Sequence, residues 1–255
     1  MTDARLIEIW RYPVKSFQGE QLMRAVIDAD GIRGDRRWGV RDEASGRILT
    51  ARREPQLLLA SASLTGDEQP DLALPGREPG RGPGPETDAL LSEWLGRPVS
   101  LAAAAGDAGA RAEFFADPTD DSSEPIEWTM PPERFVDAMA LLILTTASLR
   151  NGERLYAAGQ WHARRFRPNL LVDTASEGWV EDAWCGRVLR VGDVELVPRQ
   201  ACVRCTMVTR PQPGLDRDVD VYKTLARHHG GTLGVWTEVR SPGSVSVGDP
   251  VDIAS

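Results

Sequence analysis

Two cysteines three residues apart, with a guanidinium between them, are the feature most open to chemistry. Cys202-Val203-Arg204-Cys205 could cycle as a redox dithiol, supply half of a zinc site, or present a reactive thiolate favoured by Arg204. A closed zinc site needs four ligands, and the other candidates (Cys185, His162, His228 and His229) are not in paired spacing. Thioredoxin-like dithiols open a helix in a βαβ setting, whereas ELVPRQACVRC follows two alternating runs that read as a hairpin. Burial of both cysteines as small hydrophobes also stays open at this point.

Basic side chains form the second group. Arg164, Arg165 and Arg167 crowd HARRFRPNLLVD, followed by Pro168-Asn169 and an apolar strand. Guanidinium forks match phosphate geometry, although charge clusters are more often solvated faces. Lys15-Ser16 in WRYPVKSFQGE pairs a cation with a hydroxyl, which suits a phosphate tail. Arg36 and Arg37 in GIRGDRRWGV stand just ahead of a strand. His228 and His229 are adjacent at the end of a helical pattern, where they point apart and favour the helix C-terminus; no function is expected of them.

The elements that must position these groups are mostly short strands. LIEIW (6–10), QLMRAVID (21–28), RWGVRD (37–42) and RILTA (47–51) have β-type composition or alternation. WGVRD-EASG-RILTA and VLRV-GD-VELV (188–197) read as hairpins, and SVSVGDPVDI repeats the pattern. Helices are expected in ETDALLSEWLG (86–96), with Thr87 as N-cap, and in VDVYKTLARHHGG (219–231). The apolar run 139–144 suits a strand, with Thr145 or Thr146 capping a helix that runs to Ala158. Free N–H groups at that helix start, near Ser148, would suit an anion. No regular βαβ rhythm appears, so the fold class expected is mainly β with a few helices (α+β). Residues 75–85 are loop-like in their Gly and Pro content. The small and acidic stretch 102–125 suggests a boundary, giving domains at 1–105 and 131–255 with an acidic loop or linker at 106–130.

Composition bounds the function. The chain has 255 residues, 41% hydrophobic, enough for a sizeable core, and 30 basic against 38 acidic side chains, a formal charge of −8. That balance argues against a whole-protein attraction to nucleic acid or to an anionic membrane. The charged N-terminus lacks a signal peptide's apolar run, no stretch of 18 apolar residues occurs, and the cysteines number only three. A cytoplasmic, reducing setting is expected.

YPVKSFQGE, GIRGDRRWGVRDEASGRILTARREPQL, RFRPNLLV, ACVRCTMVT and SVSVGDPV, in this order, resemble the MOSC family over essentially the whole chain. The resemblance is nearest to the branch containing the mitochondrial amidoxime-reducing component and its bacterial relatives. It implies an N-terminal MOSC β-barrel domain followed by a MOSC β-barrel domain. It also implies molybdenum held by molybdopterin and one protein cysteine. By motif that cysteine is the second of the CxxC, so Cys205 is implied as both metal ligand and catalytic residue. A soft thiolate suits a sulfur-rich metal site. Lys15, Ser16, Arg36, Arg167 and Asn169 match the family's cofactor-contacting motifs, with Ser148 and Arg204 completing the implied set. The implied activity is two-electron reduction of N-oxygenated small molecules. By this reading no further domain is expected after the last strand, and no cysteines are spare for an iron–sulfur cluster. Electrons are therefore expected from a separate donor protein of ferredoxin, flavin or cytochrome type.

The sequence departs from this branch in two places. TMVTRPQPG (206–214) lacks the acidic residue that relatives commonly carry after the cysteine, and Ala138-Met139 replaces hydroxyl residues ahead of strand 141–144. Two other functions are compatible with Cys205: sulfur carriage as a persulfide, and storage or delivery of molybdenum cofactor without turnover.

Overall fold

Strand Arg5–Arg11 buries Leu6 and Ile9, an odd spacing that a regular pleat would send to opposite faces. A register shift between Leu6 and Glu8, where the strand pairs with Leu170–Asp173, flips the phase so that both point inward. The computed structural model describes residues 4–254 except 67, 106, 108, 118, 119 and 121.

This strand is one stave of a barrel. The largest sheet runs 251–253, 189–191, 194–203, 232–241, 141–145, 170–173, 5–11 and 20–22. Its first strand returns to the stave 5–11. Val251 donates to the Ala4 carbonyl at 2.8 Å, Leu6 to Asp249 at 2.9 Å and Gly248 to Leu6 at 2.7 Å. Closure removes the exposed edges, and the interior fills with Leu6, Ile9, Ile143, Leu170, Leu196 and Val235. Strand Leu141–Thr145 is buried at every position and pairs parallel with Leu170–Asp173. Helix Thr146–Leu155 crosses between them, so one βαβ unit does exist in a sheet otherwise antiparallel. The helix stops at Leu155, short of Ala158.

The other half of the fold has its own core of Val14, Phe17, Val40, Leu57, Leu72 and Leu91. It carries the pair 38–42 with 99–103, the sheet 61–64, 70–73 and 80–81, and helix Pro85–Leu95. Pro85 at the first turn and Gly96 at φ 70° set the limits of this helix, and Gly84 is its N-cap. Thr87 is therefore not the cap; it lies inside the helix and donates to the Arg81 carbonyl at 3.2 Å. The barrel core draws on residues from both sides of 106–130. Strand Arg24–Asp28 pairs with Gly243–Ser246, and Ala4, Leu6, Ile9, Ala25, Ile27 and Ile32 all pack in the barrel core.

Other local expectations meet the structure unevenly. The 188–197 hairpin forms, with Gly192 at φ 55° in its turn. RILTA is no full strand, because 38–42 pairs instead with 99–103 and touches it only through the Arg41–Ile48 bridge. The two halves of SVSVGDPVDI part company: 243–246 joins Arg24–Asp28 and 251–253 joins the barrel. Most unexpected is the acidic stretch. Arg111–Phe115 and Pro125–Thr129 make an antiparallel hairpin with Phe114 opposite Ile126, since aromatic and β-branched residues supply the strand preference that the small residues around them lack. Parts of the predicted linker, at 106, 108, 118, 119 and 121, lie outside the described residues. Among the described residues no helix is long and apolar enough to cross a membrane.

Candidate functional site

The barrel and the N-terminal half meet at a cleft of about 780 Å³, its open mouth included. Lys15, Ser16, Arg36, Arg167, Asn169, Arg204 and Cys205 all line it, together with Arg52, Asp137 and Trp236. Seven of the eight residues expected at a site are thus brought together. The eighth, Ser148, is not.

Turns with unusual backbone present several of the cleft side chains. Ser16, Arg36 and Arg167 have φ of 71°, 52° and 55° without being glycine. The left-handed region costs an L-residue about 1–2 kcal/mol, so the surroundings must impose it. Lys15-Ser16 turns out of the stave 5–11, and the Ser16 hydroxyl accepts from the Ala51 amide at 2.9 Å. Arg36 donates its amide to the Tyr12 carbonyl at 2.7 Å. Arg167 closes the short helix Ala163–Phe166.

Beneath them lies a buried support that the sequence reading did not single out. Tyr12 is 1% exposed, and both guanidiniums lie over its ring, Arg167 at 4.2 Å and Arg36 at 4.8 Å from the centroid. Burial pushes the Tyr12 phenol up, against the pull of the two arginines, and its hydroxyl donates to the Pro168 carbonyl at 3.0 Å. Asp35 is fully buried behind Arg36; it pairs with that guanidinium and accepts from the Tyr12 amide at 2.8 Å. Asn169 also serves the fold. Its amide nitrogen donates to the Trp10 carbonyl and to Asp35, and its oxygen accepts from the Leu142 amide. It lines the cleft as the tie between three strands, with both ends of its amide already engaged.

The charge in the cleft is strongly positive: Lys15, Arg36, Arg52, Arg167 and Arg204 face two carboxylates, Asp35 and Asp137. Lys15 donates to the Phe135 carbonyl at 2.9 Å and to Asp137 at 2.5 Å, while Arg52 reaches the other Asp137 oxygen at 2.9 Å. Partial burial works against the Asp137 carboxylate, yet Arg52 and Lys15 hold it well below the usual carboxylate range. Burial lowers Lys15, an effect that Asp137 opposes. Arg167 and Arg204 have no carboxylate partner among the described residues. Arg167 donates to the Phe17 carbonyl at 2.7 Å, and burial lowers it to about 10. Arg204 donates to the Phe166 carbonyl at 2.7 Å, and its Nε is buried with no hydrogen-bond partner.

The two cysteines are handled separately. Cys202 is 3% exposed and accepts from Arg204 at 2.9 Å; burial raises its thiol, with Arg204 pulling the other way. Cys205 is half-buried, and the group on its sulfur is Arg52, whose Nε lies at 3.3 Å. Arg204 was expected to serve Cys205 by adjacency, but in extended chain residues 202 and 204 share a face and 205 lies on the other. Arg52 is unmarked in the sequence, because nothing local in TARREPQL connects it with a cysteine 153 residues away. Asp137 was likewise missed.

The remaining candidates fall elsewhere. Ser148 is fully buried and donates to Glu181 at 2.6 Å, beside Thr145 at 2.7 Å. A carboxyl from the protein itself therefore fills the helix start where an anion was expected. Arg165 is fully buried and donates to the carbonyls of Gln160 and Asp216, pinning the loop beyond Cys205. Arg37 pairs with Asp30 and Glu133, outside the cleft. His229 bonds Asp182 at 2.6 Å and stacks on Trp179 at 4.4 Å. Among the described residues no three His, Cys, Asp or Glu side chains gather as metal ligands. A metal held at Cys205 would then draw its other ligands from a non-protein group.

A closed β-barrel joined to a second β-rich unit, with a thiol and five cations at the junction, defines the class of protein. The chain matches the MOSC N-terminal beta barrel domain over residues 3–117 and the MOSC domain over residues 132–252. It belongs to the MOSC family. It is 30% identical to mitochondrial amidoxime-reducing component 1 of Mus musculus, over 96% of this chain and 80% of that one. Identity to the Homo sapiens protein of the same name is 28%, over 96% and 81%. Molybdenum cofactor sulfurase of Oryza sativa subsp. japonica is 25% identical, over 83% of this chain and 29% of its own length. The YUAD protein from Bacillus subtilis shares the fold with a TM-score of 0.50 at 13% identity, covering 99% and 96% of the two chains.

Proposed function

We propose that this protein binds a molybdenum–molybdopterin cofactor through Cys205 and reduces N-oxygenated small molecules with electrons from a separate donor protein. The observation that carries the reading is the convergence, in one cleft, of a half-buried thiol and two buried guanidiniums that lack carboxylate partners. An anionic sulfur-and-phosphate ligand answers each requirement. Its charge complements Arg167 and Arg204, its acceptors suit the unpartnered Arg204 Nε, and its dithiolene completes the coordination that Cys205 cannot provide alone.

In this reading Cys205 holds the metal, and Lys15, Ser16, Arg36, Arg167 and Arg204 hold the phosphate and pterin. When bound, the group supplies two-electron redox chemistry at its metal. Arg52 compensates the negative charge on the Cys205 sulfur, and Asp137 fixes Arg52 and Lys15 against each other. Asp35 and Tyr12 lock the Arg36 and Arg167 guanidiniums before any ligand arrives, which lowers the ordering cost of binding. Asn169 is a positioning residue. The overall reaction consumes two electrons and two protons per N–O bond cleaved and releases water. The similarity to amidoxime-reducing components supports the substrate class.

Sulfur carriage on Cys205 would leave the Lys15, Arg36 and Arg167 cluster without a purpose, and the similarity to amidoxime-reducing components favours turnover over cofactor delivery. The test is reduction of an N-hydroxylated amidine by protein made in a cofactor-competent host, with a reduced viologen dye as donor. Turnover that tracks molybdenum content supports the reductase; full cofactor loading with no oxidation of any donor overturns it in favour of a carrier.

A further inference from the structure

A cavity of about 580 Å³ with its mouth opens in the N-terminal half and shares no lining residue with the cleft at Cys205. Three arginines reach it from separate segments. Arg47 follows the turn out of strand 38–42, Arg53 ends the 50–53 turn, and Arg97 stands just past Gly96, which closes helix Pro85–Leu95. Ile48 and Thr50, 1% and 2% exposed, form the floor, and Ser45 adds a second hydroxyl.

Two carboxylates, Asp42 and Glu113, stand against the three guanidiniums, so the lining carries a surplus of positive charge. Its donors are not used up. Glu113 divides its oxygens between Arg47 Nη1 at 2.9 Å and Arg53 Nε at 3.3 Å, which leaves the Arg53 Nη nitrogens without an acceptor among the described residues. The same guanidinium lies over Phe115 at 5.1 Å, which holds the fork in place. Arg97 Nη2 bonds Glu54 at 2.9 Å, but its Nε is buried 3.2 Å from Asp42 and too far out of line for a hydrogen bond. Asp42 is engaged on its other oxygen by the Ser45 amide and hydroxyl, both at 2.8 Å. A buried N–H without an acceptor bears its full desolvation penalty until one arrives. Forked donors and hydroxyls around one concavity suit an oxyanion with several acceptor oxygens, as a phosphate group has.

The 50–53 turn lies between this cavity and the thiol. Thr50 and Arg53 face the cavity, while the Ala51 amide donates to the Ser16 hydroxyl at 2.9 Å and Arg52 Nε lies 3.3 Å from the Cys205 sulfur. The Arg53 amide closes the turn on the Thr50 carbonyl at 3.0 Å, so a pull on Arg53 reaches Arg52 through two adjoining peptide units. Glu113 is the resident competitor for Arg53, and a bound dianion would take its place.

We infer that this cavity binds a phosphate group, free or esterified, on Arg47, Arg53 and Arg97, and that its occupancy draws the 50–53 turn away from Cys205. The inference stands apart from the reductase reading, since neither of its readouts needs turnover. Inorganic phosphate is titrated by calorimetry into the full chain at constant ionic strength, with Arg167→Ala as the background because the cleft at Cys205 is cationic too. Phosphate is expected to bind, with affinity roughly tenfold lower in Arg53→Gln and in Arg97→Gln, the worth of a charged hydrogen bond, and higher in Glu113→Gln. Adenosine monophosphate in the same titration separates the sources: equal affinity marks free phosphate, and tighter binding marks an ester whose organic part fills the remaining space. Alkylation of Cys205 by neutral iodoacetamide, read by peptide mass spectrometry, is expected to slow when phosphate is added, because the thiolate loses its cation, and to stay constant in Arg53→Gln. No phosphate binding, or binding that neither arginine variant weakens while Tm holds, overturns the site. Binding that the variants weaken, with alkylation of Cys205 unchanged throughout, overturns the link to the thiol.

Discussion

Arg52 Nε lies 3.3 Å from Cys205 Sγ, although 153 residues separate the two in sequence. The same guanidinium bonds Asp137 and covers Phe114, so one side chain from the N-terminal half ties the thiol, the carboxylate and the hairpin wall together. Replacing it tests whether the thiol is tuned from outside its own loop. Arg52→Gln keeps much of the volume and loses the charge. Metal occupancy or turnover is expected to fall by roughly 10- to 100-fold, as when outer-shell partners of metal ligands are removed, with little change in Tm. Molybdenum content and single-substrate kinetics on the same preparation check this. Unchanged occupancy and turnover would show that Arg52 merely packs.

Cys202 and Cys205 should respond differently. Cys202 is buried and bonded to Arg204, and a serine hydroxyl can accept that same bond. Cys202→Ser is therefore expected to keep most of its molybdenum and activity. If instead it loses as much activity as Cys205→Ser, a working dithiol becomes the better account.

Arg167 separates ligand binding from backbone strain. Arg167→Ala and Arg167→Gly both remove the guanidinium over Tyr12, and each is expected to weaken cofactor retention by roughly 10- to 100-fold, the worth of a charged hydrogen bond. Only glycine relieves the left-handed backbone at φ 55°, so it should melt higher than alanine by about 1 kcal/mol, some 2–4 °C for a chain of this size. Equal retention in wild type and both variants would make Arg167 structural.

Glu181 should give the fold a pH dependence remote from the cleft. Burial raises this carboxyl above its ordinary value, against the hydrogen bonds from Ser148 and Thr145. A carboxyl raised in the folded state contributes stability that is complete below its unfolded pKa, about 4.3, and is lost as pH climbs through the higher folded value. Thermal melts at rising pH should therefore show wild type losing stability over that window and Glu181→Gln losing less. Parallel curves for the two proteins would contradict the assignment.

Local chemistry was readable in the sequence and distant partnership was not. The 188–197 hairpin is specified by a Gly-Asp turn between alternating runs, and the strand before Thr145 by an unbroken apolar run that a doubly covered sheet requires. Lys15, Arg36, Arg167 and Cys205 could be picked out because cation and thiol side chains announce their chemistry wherever they fall. Arg52, Asp137, Asp35 and Tyr12 could not, since their roles exist only once the stave 5–11, the 50–53 turn and the 135–139 segment meet. Ser148 shows the converse: the helix start was located correctly, and Glu181, 33 residues on, decides what occupies it. Composition misled at 111–115 and 125–129, where a few aromatic residues outweigh many small ones; the two strands pair, and Phe114 and Phe115 line a cavity beside Cys205.

The central claim is that Cys205 anchors a molybdenum cofactor. Elemental analysis for molybdenum, with pterin fluorescence after oxidation, on wild type and Cys205→Ser from a cofactor-competent host tests it most directly. The account predicts near one molybdenum per chain in wild type and little in the variant, with both proteins folded to the same Tm. A folded wild type that carries neither molybdenum nor pterin would contradict it and move the thiol's role to sulfur transfer.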